Sequence, residues 1–321
     1  MKCIKEAVYS RLQETGHYGG GLKTVGINDV MDGKKKIFIC TNDKQILGAK
    51  VSKYTIEKNS AQEDISVCIL NTDEGSELDR LVGQPYLRGG EVHFFSASDL
   101  QSWTLIRFSP PELMGYQGRT IVIDPDVFSV GADLNELFEM DMQGKAIMAK
   151  PGKGDKNWAS SVMVLDCAKL RHWSLKSIVD GLLARELDYR EVMDLRDEIS
   201  IVGELGEEWN RYDRIDHETK LLHTTNRLTQ PWRTGLKVDM VMGRPKPLLG
   251  LIPREWVHKL LGRGNPKIHE EHPDEQVTQF FFSNLKESLE SGSIKAEEIN
   301  QAIDSDQIRP DAWELLDKFG R

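Results

Sequence analysis

The chain has 321 residues, 39% of them hydrophobic and 29% charged, with 51 acidic against 42 basic side chains and a net charge of −9. This is the composition of an ordinary globular chain, long enough for one large α/β domain with appendages, and it excludes disorder along the whole length. The acidic balance argues against nucleic acid as the main partner, because binding a phosphate backbone calls for a basic face.

In chain order, residues 1–14 read as a short helix with Ile4, Val8 and Leu12 on one face. Gly19, Gly20 and Gly21 follow, outside any strand–glycine–helix phosphate-binding pattern, and read as a linker. Residues 36–41 are an apolar run with strand character. Residues 45–58 have helical apolar spacing, 64–70 are a second strand and 91–95 a third. Residues 100–108 read as a helix ending before Pro110 and Pro111. Residues 119–123 form a central strand, bounded by Gly118 and by Asp124-Pro125-Asp126. Further strands are expected at 145–149, 161–165 and 220–223, with a helix at 175–187. Alternation of this kind predicts a mostly parallel sheet with helices on both faces. From about residue 249 only helical patterns remain, at 256–261, 274–289, 295–303 and 311–319. The expected division is therefore an N-terminal helix and linker over 1–35, an α/β domain over 36–248 and a helical extension over 249–321.

No apolar run approaches the roughly 20 residues that span a bilayer, and residues 1–13 lack the apolar centre of a secretion signal. Cys3, Cys40, Cys68 and Cys167 show no metal-ligand spacing, and the last three sit in apolar runs. Reduced, buried thiols in a cytoplasmic protein are the expectation.

Chemistry is best sought at residues 119–138. Asp124 and Asp126 follow an uncharged strand core, and ligands of open α/β sheets bind at the carboxyl ends of strands. Two carboxylates one residue apart suit a hard divalent cation, Mn²⁺ or Mg²⁺. Such a pair is also compatible with an acidic loop that caps the strand. His223 at the end of an expected strand, read in isolation, is more often a satisfied structural histidine than a ligand.

Residues 119–138, with a strand, an Asp-x-Asp, a second apolar strand and a helix ending in Leu137-Phe138, resemble the metal-site segment of the family 8 glycosyltransferases, which include glycogenin and the lipopolysaccharide galactosyltransferases. Further segments match in the family's order: Thr41-Asn42-Asp43, Arg107, residues 158–166, Trp209-Asn210 and residues 222–232. The resemblance covers about residues 36–239 and implies a GT-A type fold that binds a nucleotide-sugar, a UDP-sugar above all. It implies His223 as third metal ligand beside Asp124 and Asp126. Thr41, Asn42 and Asp43 would contact the base. Arg107 would lie near the diphosphate and sugar, with Ser160 at the sugar. It further implies a hexosyltransferase that retains anomeric configuration, with the acceptor unidentified and the oligomeric state open.

The sequence departs from the family at Ala159, where an amide is expected, and at Gln230, which stands where a lysine meets a phosphate. Arg227 or Arg233 is expected to take over that phosphate. Asp194, Asp197 and Glu198 loosely echo the family's acidic motif and are the candidates to orient the acceptor. These departures leave two further readings, a non-catalytic nucleotide-sugar binder and an interaction scaffold built on the helical tail.

Overall fold

The computed structural model describes residues 35–60, 65–72, 76–97, 99, 101–152, 157–238 and 268–320. The expected helices at 1–14 and 256–261, the glycine cluster and Cys3 lie outside the described residues.

The apolar run Lys35–Thr41 forms β1, followed by α1 (Ile46–Asn59) and β2 (Ile65–Asn71). A hairpin of β3 (Pro85–Arg88) and β4 (Glu91–Phe94) comes next. A 3-10 turn over Thr104–Phe108 then leads into the short helix α2 (Pro110–Leu113). Strands β5 (Arg119–Ile123) and β6 (Val127–Ser129) flank the Asp-x-Asp turn, and α3 (Asn135–Glu139) follows. The domain is completed by β7 (Ile147–Pro151), β8 (Trp158–Asp166), α4 (Leu175–Ala184), α5 (Tyr189–Met193), β9 (Val202–Glu204), β10 (Arg211–Tyr212) and β11 (Leu221–His223). The tail contributes α6 (Glu275–Glu290), α7 (Ala296–Asp304) and α8 (Ala312–Phe319).

The main sheet has six strands in the order β2-β1-β5-β8-β7-β9. β1 pairs in parallel with β2 and with β5, and β7 in parallel with β9, while β8 runs antiparallel between β5 and β7. Five strands therefore point one way, as the alternating pattern predicts. Successive residues of a strand face opposite sides of the sheet. Phe38, Cys40, Val122 and Met163 pack into the core on one side, and Ile37, Ile39, Ile121 and Val162 into the core on the other. A second, three-stranded sheet joins β10, β11 and β6.

Two expectations are corrected. Residues 91–95 do not add a strand to the main sheet. They form β4 of the separate hairpin, whose four residues are exposed and bury no face against the sheet. Pro110 and Pro111 do not end a helix over 100–108. They open α2, where the missing N–H of proline costs no hydrogen bond, and only a 3-10 turn precedes them.

The tail is a cap on the main body. Val277, Phe281, Phe282 and Leu285 of α6 share a core with Leu47 and Val51 of α1, Phe128 of β6 and Trp232. The Trp232 and Phe281 rings stack with centroids 4.6 Å apart. Among the described residues, no helix is long and apolar enough to cross a membrane.

Candidate metal and phosphate site

The topology brings three chain segments to one point. β5 ends at Ile123, so Asp124 leaves the sheet at its carboxyl edge. β8 runs the opposite way, so its first residues lie at that same edge, and the Asp124 N–H donates to Ser161 O at 3.0 Å. The β7–β8 register slips between Ala149 and Lys150, leaving residues 160–162 unpaired with β7, a bulge of the kind that redirects side chains near sites. The small sheet supplies the third segment, since β11 pairs antiparallel with β6 and sets His223 opposite Val127, next to Asp126.

Asp124, Asp126 and His223 are buried, and each offers a ligand atom within 4.8 Å of the others'. His223 Nε2 lies 3.4 Å from Asp126 Oδ1. On the far side of the ring, Nδ1 lies 2.8 Å from Asn210 Oδ1. The Asn210 amide nitrogen is already committed to Ser161 Oγ at 3.1 Å, so its oxygen faces the ring and accepts from Nδ1–H. In the neutral imidazole, the Nε2 lone pair then points at a carboxylate oxygen. Two electron-rich atoms face each other at that distance only where a cation or a proton joins them. A buried Asp–Asp–His set with this orientation fits a divalent metal site.

The charges follow the same logic. Burial pushes the Asp124 carboxyl up to about 6, against the pull of the Arg107 guanidinium and with a further push from Asp126. Burial opposes a charged His223, but the Asp126 carboxylate outweighs it and raises the imidazole above its usual value.

Arg107, at the end of the 3-10 turn, is buried and almost fully engaged. Its Nε donates to Asp124 Oδ1 at 2.8 Å, Nη2 to Asp124 Oδ2, and Nη1 to Ser160 Oγ at 3.0 Å. The guanidinium also lies over the Trp103 ring, 5.0 Å from its centroid. Gln230 is buried beside Asp126, donating from Nε2 to Asp126 Oδ2 at 2.8 Å and to Thr224 O at 3.3 Å. A cleft of about 290 Å³ opens over these groups, lined also by Gln45, Gln101, Trp158, Met193, Asp194 and Arg227. Arg227 makes no hydrogen bond or ion pair with the described residues, and burial lowers its pKa below the usual arginine value.

No protein-family model matches the chain, and no curated protein matches it. Solved structures do resemble it. The galactosyltransferase LgtC, in complex with donor and acceptor sugar analogues, is 15% identical and covers 61% of this chain and 89% of its own, with a TM-score of 0.44. Mouse xyloside xylosyltransferase 1 in its apo form is 13% identical, covering 60% of this chain and 98% of its own, with a TM-score of 0.41. The glycosyltransferase GlyE of Streptococcus pneumoniae TIGR4 is 15% identical, covering 82% of this chain and 64% of its own, with a TM-score of 0.46.

The structure gathers Asp124, Asp126, His223, Arg107, Ser160, Arg227 and Asp194 around one cleft, with Gln230 immediately behind Asp126. Thr41 closes β1, and Asn42 and Asp43 follow it at the same sheet edge and lead to Gln45 in the cleft wall. They do not line the cleft themselves, and Asp43 accepts from Asn71 Nδ2 at 2.6 Å. Asp197 is exposed and outside the cleft. Glu198 is turned elsewhere, accepting from Trp173 Nε1 at 2.8 Å and lying 2.8 Å from His172 Nε2. Arg233 is buried against the tail, its Nε 3.4 Å from His269 Nε2, so among the described residues Arg227 is the arginine of the cleft with no hydrogen bond or ion pair. Sequence reasoning gave no role to Trp103, Trp158 or Met193, whose helix or strand spacing is that of ordinary core residues. Trp209-Asn210 was visible as a motif, but that Asn210 orients His223 became readable only from the fold.

Proposed function

We propose that the chain transfers a sugar from a nucleotide-diphosphate sugar, a UDP-sugar, to an acceptor, with Mn²⁺ or Mg²⁺ held by Asp124, Asp126 and His223. The observation that supports this most is the facing of His223 Nε2 and Asp126 Oδ1 at 3.4 Å, with Asn210 holding the proton on the other ring nitrogen. When bound, the cation supplies Lewis-acid neutralisation of the departing diphosphate.

The chain's own side chains do the rest. Arg227 in the cleft wall offers a guanidinium to a phosphate oxygen, where charge develops as the leaving group departs. Arg107, clamped on Asp124, offsets one carboxylate charge and fixes its orientation. Gln230 fixes Asp126 in the same way and does not present a cation to phosphate. In this reading the Thr41-Asn42-Asp43 end of β1, outside the cleft but leading to Gln45 in its wall, meets the base, and Ser160 meets the sugar. Asp194, half-buried in the cleft, orients the acceptor hydroxyl, with retention at the anomeric carbon. Asp197 and Glu198 drop out of the acceptor role because neither reaches the cleft.

A second reading, binding of a nucleotide-sugar without turnover, is favoured by the double clamp of Arg107 on Asp124, which occupies both carboxylate oxygens. Thermal-shift titration with UDP-glucose, UDP-galactose and UDP-N-acetylglucosamine, with and without Mn²⁺, separates the readings when joined to a donor-hydrolysis assay. A ligand that binds only the native state raises apparent stability. Metal-dependent stabilisation with slow release of UDP supports the transferase. Stabilisation without turnover supports the binder, and no metal-dependent shift with any donor removes both.

A further inference from the structure

Residues 268–274 lead into α6 and run along the loop that follows β11. Ile268 bridges Lys237, the Gly235 N–H donates to His269 O at 2.9 Å, and the His269 N–H donates to Leu236 O at 2.8 Å. The Glu270 N–H reaches Leu228 O at 2.8 Å. This strap thus holds both ends of the stretch 228–237, which carries Gln230 and follows directly on Arg227. A side-chain approach from the strap also reaches Asp213, which holds the residues just before that stretch. The Asp213 carboxylate accepts from the Thr225 hydroxyl and, at 3.1 Å, from the Asn226 N–H. Its Oδ1 lies 4.0 Å from Nε2 of His272, whose side chain is fully buried. His272 Nδ1 lies 3.0 Å from the Asp274 N–H and 2.9 Å from Asp274 O. With Nδ1 accepting from the Asp274 N–H, the single hydrogen of a neutral ring sits on Nε2, which faces Asp213 Oδ1 at 4.0 Å, beyond hydrogen-bond distance and without another partner among the described residues.

Asp213 also anchors the metal-ligand strand. Its own N–H and that of Thr225 both donate to His223 O at 3.0 Å. Its φ of 52° is left-handed, a conformation that aspartate and asparagine tolerate better than other side chains. Thr225 and Arg227 both line the cleft, with Asn226 between them.

We propose that Asp213 and His272 are positioning residues that fix the 224–227 loop, and with it the Arg227 guanidinium, against the cleft, so that the C-terminal extension is a working part of the diphosphate subsite. The proposal rests on the donor-site reading above for the identity of the anion. The loop has no strand pairing of its own between residues 224 and 228: Thr224 is held by its N–H donating to Asp126 O at 3.0 Å and by Gln230 Nε2 donating to its carbonyl at 3.3 Å, and residues 225 and 226 are held by the Asp213 bonds. Freed from them, Arg227 samples rotamers that miss the phosphate, and part of its interaction energy is lost to ordering.

Two measurements on the full chain test this. Hydrogen–deuterium exchange of residues 224–229 and Mn²⁺-dependent UDP affinity are compared for wild type, Asp213→Asn, His272→Phe, Arg227→Ala and the Asp213→Asn/Arg227→Ala double variant. Asparagine keeps the left-handed backbone but replaces one accepting oxygen with a donor, and phenylalanine keeps the ring volume without the N–H. Exchange of the loop should rise severalfold in both positioning variants while the main-sheet strands stay protected. UDP affinity should fall about tenfold in Asp213→Asn and Arg227→Ala, and the double variant should be within about twofold of Arg227→Ala alone, the non-additivity expected of coupled residues. Unchanged loop exchange, or additive losses in the double variant, would overturn the proposal. If wild type shows no metal-dependent UDP affinity, the donor-site reading fails, and the exchange measurement alone decides the positioning claim.

Discussion

The Nδ1 atom of His223 lies 2.8 Å from Oδ1 of Asn210, and that contact decides which face of the imidazole is offered to Asp126. Asn210 is itself fully buried and tied to Ser161. Replacing Asn210 with Ala frees the ring to rotate and leaves its N–H unsatisfied. Partners that orient a metal-bound histidine are typically worth about 10–100-fold in metal affinity. We expect a Mn²⁺ titration of Asn210→Ala to show a loss in that range with retained secondary structure, and equal affinity would remove Asn210 from the site.

Arg107 and Asp124 form the most buried ion pair of the cleft, with side chains 9% and 8% exposed. Removing one partner of such a pair leaves an uncompensated buried charge, at a cost of about 3–5 kcal/mol. Arg107→Ala should therefore destabilise the fold by that order in urea unfolding. The Arg107→Ala/Asp124→Asn double variant should recover much of the loss, because the stranded charge is then gone. Additive losses in the double variant would contradict a coupled pair.

How far this was legible in the sequence depends on what each element needs. β1, β2 and β5 are apolar runs that announce themselves, and Asp124-Pro125-Asp126 at the end of one is a local signal. The hairpin β3–β4 misled because EVHFF has strand propensity, while propensity does not say which sheet a strand joins. Glu198 misled because an acidic residue near a motif looks catalytic until Trp173 and His172 are seen to hold it. Asp213 and His272 were silent, since their meeting needs the tail folded back across the domain. The bulge at residues 160–162, which depends on β7 and β8 pairing, was equally invisible.

Gly48 in α1 carries a further constraint. A Cβ there would come within 3.0 Å of Pro125 O, between the two aspartates, and within 3.7 Å of the Trp232 ring. An alanine gains about 1 kcal/mol of helix propensity, but overpacking against fixed backbone costs about 1–3 kcal/mol. The clash is with backbone, so we expect Gly48→Ala to be destabilising and to weaken Mn²⁺ binding by displacing the Asp-x-Asp turn. A variant as stable as wild type with unchanged metal affinity would show that the turn yields freely.

Asp188 gives a pH signature remote from the cleft. Its carboxylate accepts from the Gly89 and Gly90 N–H groups at 2.9 and 2.7 Å and from the Arg190 N–H at the start of α5 at 2.8 Å. Burial alone would raise this carboxyl, but the backbone donors outweigh it and hold it below its ordinary value of 3.8. A carboxylate with a lowered folded-state pKa contributes stability above its unfolded pKa and loses it as pH falls through the folded value. Asp188→Asn should cost about 1 kcal/mol near pH 7, because one of the two accepting oxygens becomes an NH₂ that faces a backbone N–H left without its acceptor, and the difference from wild type should vanish below that lowered pKa. A pH-independent difference would show that the carboxylate charge plays no part.

If a divalent cation joins His223 to Asp126 and receives a nucleotide diphosphate, UDP binding depends on both the metal and Asp126. Calorimetric titration of UDP into wild type and Asp126→Ala, each with and without Mn²⁺, tests it most directly. UDP should bind wild type only in the presence of the metal, and should not bind a folded Asp126→Ala. Equal UDP affinity in the two proteins, or binding indifferent to Mn²⁺, would contradict it.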